Sequence, residues 1–130
     1  MFTIEQIHAA HGKVKSGADF PQYVQDLKAL GVNHYDTFVE DGSSKFYGAD
    51  NFVLEAPAKY PNLPVSQVGS AEALLQIIAI HQKGETDYPT FCRQAAEAGV
   101  EKWTTHMVNM EVAYYDKAGN ALTIEPIPNS

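Results

Sequence analysis

The chain repeats part of itself, and that repeat limits its possible folds more than any other feature. Residues 19–37 recur as residues 87–105 at a constant offset of 68. Between residues 15 and 37 six positions are identical without a gap: Lys15/Lys83, Asp19/Asp87, Pro21/Pro89, Gly31/Gly99, Val32/Val100 and Thr37/Thr105. Phe20/Tyr88, Tyr23/Phe91 and Tyr35/Trp103 also keep their aromatic character. Chance would supply about one or two identities over such a window at ordinary residue usage. Two copies are too few for a solenoid, which needs roughly three or more. The expectation is one domain over residues 1–130, with a first half of about 1–55, a Pro-rich connector of about 56–69 and a second half of about 70–130.

Each half reads as helix, helix, strand, strand. Thr3 followed by Gln6 is a capping-box pattern, and Ile4, Ile7, His11 and Val14 recur at helical spacing, so a first helix is expected to end near residues 15–17. Asp19 suits the N-cap of a second helix with an apolar stripe of Phe20, Tyr23, Val24, Leu27 and Leu30, stopped by Gly31. From residue 32 the period changes to two, and Asp41-Gly42-Ser43-Ser44 is turn chemistry before a returning strand at residues 45–48, with a further strand at 51–55 as an option. Pro57, Pro61 and Pro64 forbid regular structure in the connector. Ser70 caps the next helix, whose Leu74, Leu75, Ile77, Ile78 and Ile80 are apolar nearly all round and predict the more buried of the equivalent pair. Residues 103–115 read as one long strand. Its apolar parity switches near 107–109, which predicts a bulge or sharp bend. A hairpin loop at 116–120 leads to a last strand at 121–125, ended by Pro126 and Pro128. The fold class is therefore α+β: an internally duplicated helix-helix-strand-strand unit, with an antiparallel sheet carrying four helices on one face.

Composition removes several function classes. Hydrophobic content of 45% with 19% charged residues is that of a globular chain, and no segment is polar enough to argue for disorder. Nine Lys and Arg, of which only Arg93 is arginine, against sixteen Asp and Glu leave a formal charge of −7. That balance argues against nucleic acid and against an anionic membrane surface as partners. No apolar run approaches a membrane span, and no signal-peptide core opens the sequence. One cysteine excludes an internal disulfide, and a cytoplasmic location is the expectation.

Candidate chemistry is sparse. His8 and His11, at i and i+3, could share a metal, but His11 falls on the apolar stripe opposite Ala79 in the repeat and reads as a core or edge histidine; no metal site is assigned. Cys92 near a helix start could be a nucleophile, yet it aligns with Val24 and reads as a buried structural thiol. His34, Asp36 and Glu40 on the first central strand, with His106 on the second, form the polar constellation that could serve as general base and orienter; the competing reading is a solvated sheet face with cross-strand pairs. Tyr35, Thr37, Trp103 and Thr105 have the opposite parity and are the candidate ligand-binding residues, against the plainer reading of a sheet-helix core. No nucleophile, metal or phosphate motif is present, so no cofactor is expected.

Residues 2–7 and 13–21, followed by Leu27-Lys28-Ala29-Leu30-Gly31-Val32 and Val39-Glu40-Asp41-Gly42, closely resemble an uncharacterised bacterial family of unknown function, called YdfO-like or YbcV-like. Some of its members carry the label "phage envelope protein". The resemblance runs over most of the chain and is most specific at Lys15-Ser16-Gly17-Ala18-Asp19-Phe20-Pro21, where Gly17 would turn the chain. It implies an α+β fold of this size and a link to prophage regions, and it carries over no activity or catalytic residue. The function expected is a non-enzymatic binding or protein-interaction module. Its partner would be a small apolar ligand, a second copy or another protein. The alternative is a small enzyme using the His/carboxylate constellation.

Overall fold

Helix ends in this protein are written largely by side chains. Thr3 and Gln6 complete a reciprocal capping box, with the Thr3 N–H donating to Gln6 Oε1 at 2.9 Å and the Gln6 N–H to Thr3 Oγ1 at 3.2 Å. They start α1 (Ile4–His11). Ser70 accepts from the Ala73 N–H at 3.2 Å to start α3 (Ala71–Gln82), and Asp87 accepts from Thr90 at 2.9 Å to start α4 (Tyr88–Glu97). Asp19 precedes α2 (Phe20–Leu30) in a helical backbone conformation and makes no side-chain capping bond, unlike Asp87. A computed structural model describes residues 2–14 and 19–127 of the chain. The Lys15/Lys83 identity, the turn at Gly17 and the stop at Pro128 lie outside the described residues.

The strands are β1 (His34–Phe38), β2 (Ser44–Tyr47), β3 (Val53–Ala56), β4 (Lys102–His106), β5 (Glu111–Tyr115) and β6 (Ala121–Pro126). They form one antiparallel sheet in the order β3-β2-β1-β4-β5-β6, so β1 and β4 pair at its centre. With the four helices this is an α+β fold. In the central ladder Tyr35 faces Thr105, Asp36 faces Thr104 and Thr37 faces Trp103. Only the Asp36/Thr104 pair joins residues 68 apart in the chain. Thr104 Oγ1 donates to Asp36 Oδ1 at 2.6 Å there, a buried bond at the midpoint of the sheet.

Three expectations need correcting. Residues 103–115 are not one bent strand: the chain reverses through residues 107–110 and returns as β5, with Met110 at φ +54°. The parity switch therefore marks a hairpin. α1 stops at His11, short of residues 15–17, because Gly12 caps it with its N–H shared between Ala10 and His8 carbonyls. α3 is not the more buried helix. It buries Leu74 and Ile78 as α1 buries Ile7 and Ala10, and leaves Leu75 45% and Ile80 40% exposed. A helix laid on the flank of a sheet can bury only one stripe, however apolar its other faces are. Residues 57–69 carry no helix or strand, as the prolines require; the Ser66 N–H donates to the Ala96 carbonyl of α4, and Ser70, just after them, donates its N–H to Ala98 at the end of that helix.

Gly31 and Gly99 follow α2 and α4 in left-handed conformations, at φ +103° and +88°. Their surroundings differ. A Cβ on Gly31 would meet nothing within 4 Å, whereas one on Gly99 would lie 2.6 Å from the Gly69 Cα and the Val68 carbonyl of the connector. Gly31→Ala should therefore cost about 1–2 kcal/mol from the backbone alone. Gly99→Ala should cost clearly more because the connector must move. Paired chemical denaturation of the two variants checks this, and equal losses would mean that the connector does not pack as described.

Candidate functional site

Alternation along the strands puts Tyr35, Thr37, Phe46, Trp103, Val112 and Tyr114 on the helix side of the sheet. These side chains do not close fully against the helices. Between the two layers lies a hollow of about 470 Å³. His11 of α1, Phe20, Pro21 and Tyr23 of α2, Ile78, His81 and Gln82 of α3, and Tyr88 and Phe91 of α4 form its helical wall.

Two aromatic groups line it, one around Tyr35 and one around Trp103. Tyr35 contacts Tyr23 and Phe46, with ring centroids 6.3 and 5.1 Å apart. Trp103 contacts Phe91 and Tyr114 at 5.6 and 5.9 Å, and Tyr88 at 6.3 Å. The first two Trp103 contacts fall at positions 68 residues on from those of Tyr35. His11 joins the groups, with its ring 5.5 Å from Tyr23 and 6.2 Å from Tyr88.

The wall has polar tips. Burial pushes the Tyr35 hydroxyl up to about 12 and raises Tyr23, Tyr88 and Tyr114 well above the usual tyrosine range, so all four are neutral hydrogen-bonding groups. His11 is held below the ordinary histidine value by burial first, then by the charges of Lys59 and His8. His81 is lowered by burial too, with its ring stacked on Phe91 at 4.5 Å and Nδ1 3.1 Å from the Thr86 carbonyl. Lys59 enters from the connector and Glu125 from β6. Cys92 is fully buried behind this wall, and burial raises its thiol above the ordinary value, as for a structural thiol.

Of the four ligand-binding candidates, Tyr35, Thr37 and Trp103 line the hollow. Thr105 is buried beside them without lining it, and no partner meets hydrogen-bond geometry with its hydroxyl among the described residues. The acid-base candidates lie on the opposite face of the sheet. His34 and His106 are direct register partners with rings 6.0 Å apart, and His34 stacks on Tyr47 at 4.4 Å. Burial lowers His34 below the usual value, with Asp36 opposing that shift. The Asp36 carboxylate is engaged, receiving Thr104 and lying 3.9 Å from Lys102 Nζ. Glu40 does not join this group: it sits exposed beyond the end of β1, in the turn to β2. Three of the four thus share one shallow depression. No cluster of three or more His, Cys, Asp or Glu among the described residues could hold a metal.

His11, Lys59, His81 and Glu125 went unassigned as hollow residues from sequence. A histidine on an apolar stripe was the one available signal, at His11. Lys59 lies in a connector without periodicity, and Glu125 on a strand whose inward side is set only by its pairing with Val112.

The family profile described as "Protein of unknown function (DUF1398)" matches residues 8–126. An Escherichia coli (strain K12) protein, "Uncharacterized protein YcgX", is 23% identical over 118 residues, covering 91% of this chain and 88% of that protein. No helix among the described residues is long and apolar enough to cross a membrane.

Because His11 and His81 bind protons more weakly folded than unfolded, their contribution to stability is present above the unfolded value of about 6.5 and is lost as pH falls through and below it. Thermal melts between pH of about 7.5 and 5.5 should show a shallower loss in the double variant His11→Gln, His81→Gln than in the parent. An unchanged slope would place both imidazoles in water.

Proposed function

We propose that this chain, which belongs to the DUF1398 family of proteins of unknown function, is a non-enzymatic binding module that takes a small, largely apolar ligand between its sheet and its helices. The observation that carries this reading is the hollow itself. About 470 Å³ lies within the range of small-molecule sites, roughly 300–1,000 Å³. Its aromatic walls with a few hydroxyl tips are the lining such sites use. The equal order of elements in the two halves and the ring contacts repeated at an offset of 68 support a further part of the reading: the halves are copies of one duplicated unit, and the ligand site formed where the copies meet. The prophage association implied by resemblance adds no residue role to it.

A second reading is a small acid-base enzyme on the outer face, favoured by the close His34/His106 pair. It is the weaker one, since Asp36, the carboxylate that would orient a histidine, is already held by Thr104 and Lys102. Nuclear magnetic resonance titration tests it: histidines 34 and 106 that titrate freely as surface groups would end it.

Trp103 is the one tryptophan and lies on the wall, so its fluorescence and its indole resonance report occupancy directly. Screening a fragment library of aromatic and branched aliphatic compounds should shift the Trp103 indole coherently while His34 and His106 stay silent. Val112→Phe, which adds volume from the sheet wall, should abolish that response in a protein that still melts cooperatively. A Trp103 resonance indifferent to every fragment would sink the reading.

A further inference from the structure

The connector delivers one cation to this hollow, and it does so by a fixed backbone route. The Lys59 and Tyr60 N–H groups both donate to the Asp41 carbonyl, at 2.8 and 3.3 Å, and the Tyr60 hydroxyl donates to the Val39 carbonyl at 2.5 Å. Residues 59 and 60 are therefore held onto the β1–β2 turn, and the Lys59 side chain lines the hollow at that end. Thr37 and Ser44, register partners next to the same turn and both buried, line it too. His11 is close enough for its ionisation to feel the Lys59 charge.

Among the described residues, Lys59 has no carboxylate within ion-pair distance; the lysines that do are Lys45 with Glu55 and Lys102 with Asp36. Its neighbour Cys92 is a thiol kept neutral by burial. Lys59 is itself exposed, so its ammonium stands at the mouth of the hollow in reach of solvent, and partial burial there holds it below the ordinary lysine value. The one acidic side chain on the lining, Glu125, stands on β6, four strand spacings from β2 across the sheet. The hollow is thus positive at one end, negative at the other and aromatic between.

We propose, resting on the binding-module reading, that the ligand is a small hydrophobic organic acid whose carboxylate is received by Lys59, with its apolar body lying against Tyr35 and Trp103. A charge-assisted bond to an ammonium is stronger than a neutral one, and the hydroxyls of the buried Thr37 and Ser44 add neutral donors beside it. Glu125 repels an acid group from the far end and so fixes the orientation. A neutral ligand would leave Lys59 unpaired. An amine would meet the Lys59 ammonium at that end.

Matched probes on the full chain, read by Trp103 fluorescence, test this. Phenylacetate, phenylacetamide and phenethylamine form one series, and octanoate with octanol a second. The acids should bind roughly tenfold or more tightly than their neutral partners. The preference should vanish in Lys59→Met and persist in Lys59→Arg. Equal affinity for acid and neutral probes, or preference for the amine, overturns the organic-acid inference and leaves the binding module standing. Silence from every probe removes both. The parent protein alone decides between acid and neutral ligands, so the test survives a Lys59→Met variant that fails to fold.

Discussion

The antiparallel ladder between β1 and β4 is the interaction on which the rest of the structure depends. It sits at the middle of the six-stranded order, so each outer strand inherits its position from that pairing. It also decides which side chains face the helices. Strand side chains alternate, and a slip of one residue would exchange the aromatic set for the histidines and Asp36. The buried Thr104-to-Asp36 bond opposes such a slip, because a displaced Asp36 would be left without its partner on a face that gives it only 9% exposure. Breaking a bond of that kind leaves a desolvated acceptor, which costs more than the bond contributes when made.

From this ladder the asymmetry of the two faces follows. On the outer side, Thr104 and Lys102 engage the Asp36 carboxylate, and His34 lies ring against ring with His106. On the helix side, bulky rings at Tyr35, Phe46, Trp103 and Tyr114 stand between the sheet and helices that contribute rings of their own at Tyr23, Tyr88 and Phe91. The connector is part of this wall. Held by Asp41, Val39, Ala96 and Ala98, it brings Lys59 to one end of the hollow and packs Gly69 against Gly99.

Much of the scaffold was legible because local chemistry and global fold agree at the relevant residues. Thr3, Ser70 and Asp87 cap the helices their sequence context predicts, and the period-two pattern at residues 34–38 and 102–106 places Tyr35 and Trp103 on the inner face. The 107–110 reversal was not legible: Met107-Val108-Asn109-Met110 carries no glycine, and Met110 takes a left-handed conformation that favours glycine or asparagine. Exposed Leu75 and Ile80 misled for a related reason, since hydrophobicity says what a residue tolerates and not which flank of the sheet it reaches. The site divides likewise. Tyr35, Thr37 and Trp103 could be read from alternation, whereas Lys59 and Glu125 reach the hollow through tertiary routes that no period encodes. Glu40 was grouped with His34 by nearness in sequence, and the turn after β1 carries it away.

The size of the hollow bears on what it is for. It is partly open to solvent, and a few larger aliphatic side chains could have filled the space between sheet and helices. This chain instead places eight aromatic rings, two half-buried histidines and an exposed ammonium on the lining. On the binding-module reading proposed above, a bound molecule supplies the van der Waals contacts that the lining lacks and a partner for the Lys59 charge. Ligand binding and fold stability are then coupled, and occupancy raises the free energy of unfolding with the logarithm of ligand concentration.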